Sequence, residues 1–237
     1  MDKKEKIVWI TGASSGIGKS TALQFVKGGK AVAASSRSID QLEKIKSELT
    51  EKGNLFEVFP VDVTSFDDVS KTEKAISKNY DISYLINNAG VTSFKKAIDN
   101  DVKEIEEIIA ANLLGSIYTI KSVLPGMIER KGGTIINILS VVTQKIFTES
   151  SAYSASKAGL LAYVKVLREE VRAHNIRVIN IIPGATRTPI WPNSALEKFS
   201  NRMMSPDDIG KLIFELSSLN SNLVPEDVVL RPIKGDL

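Results

Sequence analysis

The sequence predicts an α/β fold: a single domain over residues 1–237, with a doubly wound parallel sheet of about seven strands and helices on both faces. Two observations support this prediction. Short apolar runs rich in β-branched residues alternate with longer segments whose apolar residues recur at helical spacing, as expected for parallel strands joined by crossover helices. No linker, repeat or low-complexity tract interrupts this alternation, so one sheet is expected to contain all the strands.

The elements follow one another in regular order. The strand candidates are short apolar runs, at 7–11, 31–35, 55–61, 82–87, 134–140, 177–182 and 228–230. The helix candidates each place apolar residues on one stripe, at 17–27, 41–51, 67–78, 102–129, 151–174 and about 206–217. Ser205 can cap the last helix, and Pro206 suits its first turn. The stretch 186–204 breaks the alternation, and a long irregular segment after a strand is often a lid, so we expect it to cover a substrate site.

Composition excludes several kinds of chemistry. The chain has no cysteine, which excludes disulfides and cysteine-bound metal, and its one histidine, His174, leaves little for a zinc site or a Ser-His-Asp triad. We therefore expect no metal site. The 31 lysine and arginine residues against 28 aspartate and glutamate residues give a net charge of only +3, which argues against a nucleic-acid partner. Without a signal-length or membrane-spanning apolar run, the protein is expected to be cytoplasmic and to have no membrane partner.

A glycine-rich turn follows the first strand. Residues 11–18 read Thr-Gly-Ala-Ser-Ser-Gly-Ile-Gly and lead directly into a helical pattern. Glycines let the backbone approach a pyrophosphate closely, and the free N–H groups and dipole of a first helical turn favour negative charge. Three glycines and two serines in the first βα connection indicate a dinucleotide site rather than a simple tight turn. The candidate residues are Gly12, Ser14, Ser15, Gly16, Ile17 and Gly18.

Further motifs occur in order along the chain. They are Asn87-Asn88-Ala89-Gly90 after the fourth strand, Asn112 in the next helix, Ser140 at the end of the fifth strand, Tyr153 with Lys157, and Pro183-Gly184 after the sixth strand. Together with the spacing Thr-Gly-x-x-x-Gly-x-Gly in the turn, these motifs resemble those of the short-chain dehydrogenase/reductase family over nearly the whole chain. The resemblance implies a Rossmann fold and an oxidoreductase that transfers a hydride between nicotinamide and a small-molecule carbonyl or secondary alcohol.

The end of the second strand indicates which nicotinamide cofactor is bound. An acidic residue about 20 positions after the glycine turn is typical of NAD sites, whereas arginine accommodates the 2′-phosphate of NADP. Here Ser36 stands where NAD-preferring family members usually carry aspartate, and Arg37 follows with a guanidinium suited to phosphate. We predict that NADP(H) is preferred, with NAD(H) possible. The alternative is that Arg37 is simply an exposed loop arginine.

The family resemblance implies further cofactor contacts. They are Asp62, Val63, Asn88, Ala89, Gly90, Tyr153, Lys157, Pro183, Gly184 and Thr188. Asp62 and Val63 match the family's adenine-contacting pair, although a turn or capping carboxylate is a nearly equal alternative for Asp62. Asn87 should help to hold neighbouring strands, and Thr188 matches the family threonine near the nicotinamide carboxamide.

Tyr153 and Lys157 are four residues apart in a helical segment, so their side chains share one face. A free tyrosine has a pKa of about 10, too high for ready proton exchange at neutral pH. A cation 4 to 5 Å away is worth roughly 3 to 4 kcal/mol, so Lys157, helped by an oxidised nicotinamide ring, is expected to lower the pKa of Tyr153 by about two to three units. The resemblance implies that Tyr153 is the acid and base, that Ser140 hydrogen-bonds to the substrate oxygen, and that Asn112 holds a water linking Lys157 to solvent. The alternative for Asn112 is a solvent-facing or locally bonded side chain.

The sequence leaves the substrate open. The expected substrate contacts are mostly apolar, namely Val141, Val142, Gln144, Phe147, Ile190, Trp191, Phe199, Met203 and Met204, and they suggest an uncharged carbonyl compound. Arg187 and Lys145 could instead bind a substrate carboxylate. An NAD-linked alcohol or hydroxy-acid dehydrogenase is therefore the alternative function. A dinucleotide-binding regulator without catalysis ranks behind the enzyme because Tyr153 and Lys157 are both present.

The sequence departs from the family pattern at two places. Val141-Val142 follows Ser140 in place of a small, glycine-containing turn, so the substrate end of the pocket is expected to be unusual. The stretch 228–237 lacks the paired glycines common after the last strand, and that tail often helps family subunits associate. A homodimer through the two long helices, 102–129 and 151–174, is therefore expected more firmly than a homotetramer.

Overall fold

The computed structural model describes residues 4–49, 53–219 and 222–237. Within these ranges, seven parallel strands form one sheet in the order β3-β2-β1-β4-β5-β6-β7, which confirms the predicted doubly wound fold. The strands are β1 (Glu5–Thr11), β2 (Ala31–Ser35), β3 (Phe56–Val58), β4 (Tyr80–Asn87), β5 (Gly133–Ile138), β6 (Ile176–Pro183) and β7 (Asp227–Leu230).

Helices pack on both faces of this sheet. They are α1 (Gly16–Lys27), α2 (Ile39–Glu48), α3 (Phe66–Asn79), α4 (Val102–Ile109), α5 (Gly115–Glu129), α6 (Ser151–Val171), α7 (Asn193–Phe199) and α8 (Pro206–Ser217). The apolar faces of α3, α5 and α6 belong to one buried cluster, and those of α1, α2 and α8 belong to a second. Along β1, Ile7 and Trp9 join the first cluster whereas Val8 and Ile10 join the second, as expected for a strand buried on both faces.

Some boundaries differ from the sequence prediction. β3 ends at Val58 rather than at residue 61, and Pro60, which has no N–H to donate to the sheet, follows it. The predicted helix 41–51 begins two residues earlier, at Ile39, and ends at Glu48, while residues 50 and 51 lie outside the described residues. The stretch 186–204 is less irregular than expected, because it contains α7 and a short 3₁₀ turn.

The predicted helix 102–129 is divided by a π-helical turn. This turn, Ala110–Leu114, separates α4 from α5, and Asn112 at its centre is fully buried. Such turns occur frequently at functional sites. By length and composition alone the stretch Val102–Glu129 could cross a membrane, a property that buried helices of globular proteins share. Here the residues Ile120, Val123 and Met127 of α5 belong to the core cluster.

Buried polar side chains form a hydrogen-bonded row, the amide ladder, across β4, β5, β6 and β7. Asn87 donates from Nδ2 to Oδ1 of Asn137 at 3.0 Å, and Asn137 donates to Oδ1 of Asn180 at 3.2 Å. Asn180 donates to Oδ1 of Asp227 at 2.7 Å, and Arg168 of α6 pairs with the same oxygen at 3.1 Å. The three asparagines are at most 3% exposed, so these bonds satisfy amides that water cannot reach.

Candidate active site

A cleft of about 1340 Å³ opens at the carboxyl ends of the strands. The sheet order changes direction there, between β1 and β4, which is the usual place for a ligand site in an open α/β sheet. The predicted site residues that line the cleft are Gly12, Ser14, Ser15, Gly16, Ile17, Arg37, Asp62, Val63, Asn88, Ala89, Gly90, Ser140, Tyr153, Lys157, Pro183, Gly184 and Thr188. Gly18 and Asn112 are buried behind this lining.

Close backbone contacts shape the glycine turn. Gly12 and Gly16 have φ angles of +63° and +53°, in the left-handed region that favours glycine. A Cβ atom on Gly18 would lie 2.3 Å from the carbonyl oxygen of Gly12, closer than real Cβ contacts allow. The amide of Asn88 donates to that carbonyl oxygen at 2.9 Å and ties the turn to the end of β4. The turn therefore holds the first residues of α1 against the cleft.

The N-terminus of α1 is open towards the cleft. No side chain caps it at Ser15, and no acidic residue lies in its first turn. Backbone N–H groups at such a helix end lack intrahelical partners and carry a partial positive charge. Ser15, Gly16 and Ile17 line the cleft here, so this helix end can receive an anionic group such as a phosphate.

The end of β2 presents hydroxyl groups and a guanidinium to the same cleft. Ser36 donates to Oγ of Ser14 at 3.0 Å, which joins this strand end to the glycine turn. Arg37 is exposed, lines the cleft and has no ion-pair partner among the described residues. Arg37 is therefore an open cation near the glycine turn.

Asp62 has the hydrogen bonds of a turn carboxylate and also lines the cleft. It lines the cleft, and one carboxylate oxygen accepts hydrogen bonds from the N–H and the hydroxyl of Thr64, at 3.0 and 2.8 Å. Its position fits a ligand contact, and its hydrogen bonds are those of a turn carboxylate.

Ser140, Tyr153 and Lys157 meet just beyond the end of β5. Ser140 caps a 3₁₀ turn, and its side chain hydrogen-bonds with Tyr153 on α6. Lys157, one turn further along α6, donates to the main-chain oxygen of Ile138 at 2.7 Å. Its Nζ atom lies 5.8 Å from the centre of the Tyr153 ring. The structure thus brings together three side chains that the sequence places on two separate motifs.

Burial controls the ionisation of this cluster. It raises the pKa of Tyr153 to about 12, although the hydrogen bond with Ser140 acts in the opposite direction. Burial also lowers the pKa of Lys157 to about 8. The expected lowering of the tyrosine pKa by Lys157 is therefore wrong for the protein alone, because loss of hydration disfavours the phenolate and the ammonium ion alike. At neutral pH, Tyr153 carries its proton and can donate it.

Asn112 is locally bonded, which was the alternative interpretation from the sequence. Its amide donates to the main-chain oxygen of Val91 at 2.9 Å and to Oγ of Ser156 at 3.0 Å, while its Oδ1 accepts from the N–H of Val91 at 2.8 Å. A Cβ atom on Gly90 would lie 3.0 Å from Oδ1 of Asn112 and 3.7 Å from Nζ of Lys157. Asn112 therefore holds the segment after β4 close beside Lys157.

An aromatic pair borders the apolar end of the cleft. Phe94, after β4, stacks on Trp191 with ring centres 4.9 Å and planes 20° apart. The expected apolar contacts that line the cleft are Val141, Val142, Phe147, Ile190, Trp191 and Phe199. Gln144, Met203 and Met204 do not line it, and the main chain of Met204 instead pairs with Ala185 and Arg187 at the base of the stretch 186–204.

Sequence reasoning missed several residues of the cleft wall, among them Phe94 and Asp236. Phe94 lies four residues after Gly90, and its position just beyond a strand end was a usable signal. Asp236 had no such local signal, because it reaches the cleft only when the segment after β7 folds back. Asp236 pairs with Lys145 at 3.0 Å, and Arg187 is exposed outside the cleft lining. Neither cation expected to meet a carboxylate is therefore open to the cleft.

Sheet order and cleft position define the molecule as a Rossmann-type α/β protein. The short chain dehydrogenase family matches residues 6–198. The chain therefore belongs to the short-chain dehydrogenase/reductase family and is an oxidoreductase of that class. Among the described residues, no group of three or more histidine, aspartate or glutamate side chains could hold a metal ion.

Individual relatives span almost the whole chain. The sepiapterin reductase of Chlorobaculum tepidum is 32% identical over 98% of both chains. The structure of an alcohol dehydrogenase from the archaeon Thermococcus sibiricus complexed with 5-hydroxy-NADP superimposes with a TM-score of 0.87, at 29% identity and 99% coverage of both chains. The closed form of serine dehydrogenase complexed with NADP+ gives a TM-score of 0.91, at 26% identity, covering 98% of this chain and 96% of the other.

Proposed function

We propose that this chain is an NADP(H)-dependent oxidoreductase that reduces an uncharged carbonyl compound, with Tyr153 as the proton donor. The observation that carries the proposal is that the open N-terminus of α1 and the cluster of Ser140, Tyr153 and Lys157 line one cleft. The anion site and the proton donor are thereby within reach of one extended ligand.

The residues of this cleft fit a nicotinamide dinucleotide. The N–H groups at the start of α1 would bind the pyrophosphate, because the glycine turn allows close approach and the first turn of α1 carries no acidic residue. Arg37 would pair with a 2′-phosphate, because no described carboxylate competes for it. Two similar structures, the alcohol dehydrogenase and the serine dehydrogenase described above, are each complexed with an NADP species, which supports the same preference.

Residues of the chain would carry out the proton transfer. When bound, the cofactor supplies the hydride to the carbonyl carbon. Tyr153 gives its hydroxyl proton to the carbonyl oxygen, which yields the alcohol and leaves a phenolate. Ser140 donates a hydrogen bond to the same oxygen as its charge develops. Lys157, with a pKa of about 8, is still mainly charged at pH 7 and stabilises the phenolate.

The protonation state of Tyr153 is compatible with a proton donor in carbonyl reduction. With a pKa of about 12 the hydroxyl is protonated at neutral pH, as that of a free tyrosine is, whereas the reverse reaction would use the phenolate. A panel of aldehydes, ketones and secondary alcohols, tested in both directions with NADPH and NADH, tests the proposal. Reduction with NADPH is the expected result. Absence of turnover with every compound, together with tight NADPH binding, would instead favour a dinucleotide-binding regulator.

Arg37→Ala is expected to raise the Kd for NADPH about tenfold and to leave the Kd for NADH unchanged. A hydrogen bond to a charged group is worth about 1.5 to 3 kcal/mol, and the exposure of Arg37 favours the lower end of that range. Calorimetric titration with each cofactor measures both constants. Arg187→Ala is the matched control, because Arg187 is also exposed but lies outside the cleft lining. An equal loss of NADPH and NADH affinity in Arg37→Ala would contradict the assignment.

We also propose that the protein forms a homodimer. The exposed apolar residues Val102, Leu114 and Val166 lie on α4, on the π-helical turn and on α6, the two long helical stretches from which the sequence predicts a dimer. Exposed apolar residues on these helices suit burial against a second copy.

A further inference from the structure

Asp236 lies at the centre of a cluster of cations near the apolar end of the cleft. Its Oδ2 pairs with Nζ of Lys145 at 3.0 Å, and its Oδ1 accepts from the guanidinium of Arg231 at 2.5 Å. Its main-chain oxygen accepts from the guanidinium of Arg202 at 2.9 Å. These cations come from the loop after Ser140, from the end of β7 and from the stretch 186–204. Asp236 thus joins three segments around the cleft, two through its carboxylate and one through its main-chain oxygen.

The carboxylate and the cations of this cluster differ in their position relative to the cleft. Asp236 lines the cleft, whereas Lys145, Arg202 and Arg231 do not. Among the described residues, Lys145 and Arg231 have no carboxylate partner other than Asp236. The Asp236 carboxylate therefore faces the cleft and pairs with two cations that do not line it.

We propose that Asp236 masks an anion-binding subsite, so that the protein selects uncharged carbonyl substrates and rejects those carrying a carboxylate. This inference rests on the proposed carbonyl reduction at the same cleft. Asp236 occupies the place that a substrate carboxylate would take against Lys145 and Arg231. A specificity determinant in this chain is therefore supplied by the segment that follows β7.

Two physical reasons support the masking. An intramolecular carboxylate acts at a high effective concentration, so a free acid at millimolar concentration does not displace it. The pairing with Lys145 and Arg231 also holds the pKa of Asp236 below its ordinary value, so the carboxylate stays charged across the neutral range. A substrate carboxylate near Asp236 would then meet a like charge, because the cations of this cluster do not line the cleft.

A matched pair of ketones tests the proposal. Phenylglyoxylate carries a carboxylate, and its methyl ester has the same ketone without the charge. The readout is the ratio of kcat/KM for the acid to kcat/KM for the ester, with NADPH saturating. The wild-type protein is expected to favour the ester, and Asp236→Ala to raise the ratio about tenfold or more, because a charge-assisted bond to a freed cation is worth at least that factor.

Further variants distinguish the loss of the Asp236 charge from a loss of structure. Asp236→Asn removes the charge with little change of shape and should raise the ratio as well, whereas Asp236→Glu should keep the wild-type ratio. The double variant Lys145→Ala/Asp236→Ala should lose part of the gain, because one freed cation is gone. Asp81→Asn, which breaks the ion pair with Arg130 at the start of β4, is the control and should leave the ratio unchanged.

A binding measurement keeps this inference distinct from the proposed function. Benzoate is titrated into the NADP+-saturated protein by calorimetry, and Asp236→Ala should bind it about tenfold or more tightly than wild type. If neither ketone is reduced, the proposed function fails, and benzoate affinity alone decides the masking. An unchanged acid-to-ester ratio in Asp236→Ala and Asp236→Asn, or without turnover an unchanged benzoate affinity, would overturn it.

Discussion

Tyr153→Phe is expected to lower kcat for carbonyl reduction by about 10²- to 10⁴-fold, the usual contribution of a positioned general acid. The substitution removes only the hydroxyl, so the ring still fills its place on α6 beside Lys157. The proposed proton donor is lost, while the open start of α1 and Arg37 are unchanged. The Kd for NADPH should therefore stay within about twofold of the wild-type value, because those groups supply the proposed phosphate contacts.

Steady-state kinetics with the methyl ester and calorimetry with NADPH measure the two quantities separately. Tyr163→Phe is the matched control, because Tyr163 lies on the same helix but does not line the cleft. That control should keep kcat within about twofold. Wild-type turnover in Tyr153→Phe would rule out the assigned proton donor, whatever its affinity for NADPH.

Gly18→Ala is expected to raise the Kd for NADPH by about 100-fold or more, equivalent to about 2.7 kcal/mol. The added methyl group would lie 2.3 Å from the carbonyl oxygen of Gly12 and 2.4 Å from Nδ2 of Asn88. Backbone blocks it on one side, so the start of α1 must move away from the glycine turn and the N–H groups leave their positions beside the cleft. Overpacking of this kind also lowers the free energy of unfolding by about 1 to 3 kcal/mol.

Titration calorimetry and urea unfolding report these two effects. Gly132→Ala is the matched control, because the nearest atom to a Cβ there is 4.0 Å away. Both NADPH affinity and stability of the control should stay close to wild type. An unaltered NADPH affinity in folded Gly18→Ala would mean that the cofactor does not bind at the start of α1.

The fold could be predicted because its signals are local and repeated. Each β-branched run is typical of a strand that is buried on both faces. Each glycine of the turn is required by a positive φ angle or by a close contact within the same short segment. Ser140, Tyr153 and Lys157 could be predicted because each belongs to a short motif at a strand end or on one helix face. Such features need no knowledge of how distant segments meet.

The remaining features depend on contacts between residues that are far apart in the sequence. Asp236 and Lys145 are 91 residues apart, so only the folded chain brings them together. The π-helical turn around Asn112 has no distinct composition and depends on the hydrogen bonds that the side chain makes with Val91. For the protein without cofactor, the pKa of Tyr153 was predicted in the wrong direction because charge can be counted from a sequence, whereas desolvation requires the packed site.

The amide ladder determines how the central strands align. In parallel strands buried on both faces, a slip of two residues preserves which side chains face which helices, so the apolar pattern alone is a weak guide to register. The ladder supplies that information, because Asn87 is the register partner of Asn137, Asn137 of Asn180, and Asn180 of Asp227. A slip at any one step would leave buried amides unpaired, at about 1 to 3 kcal/mol for each group. The strand ends that carry Asn88, Ser140 and Pro183 are thereby kept level with one another at the cleft.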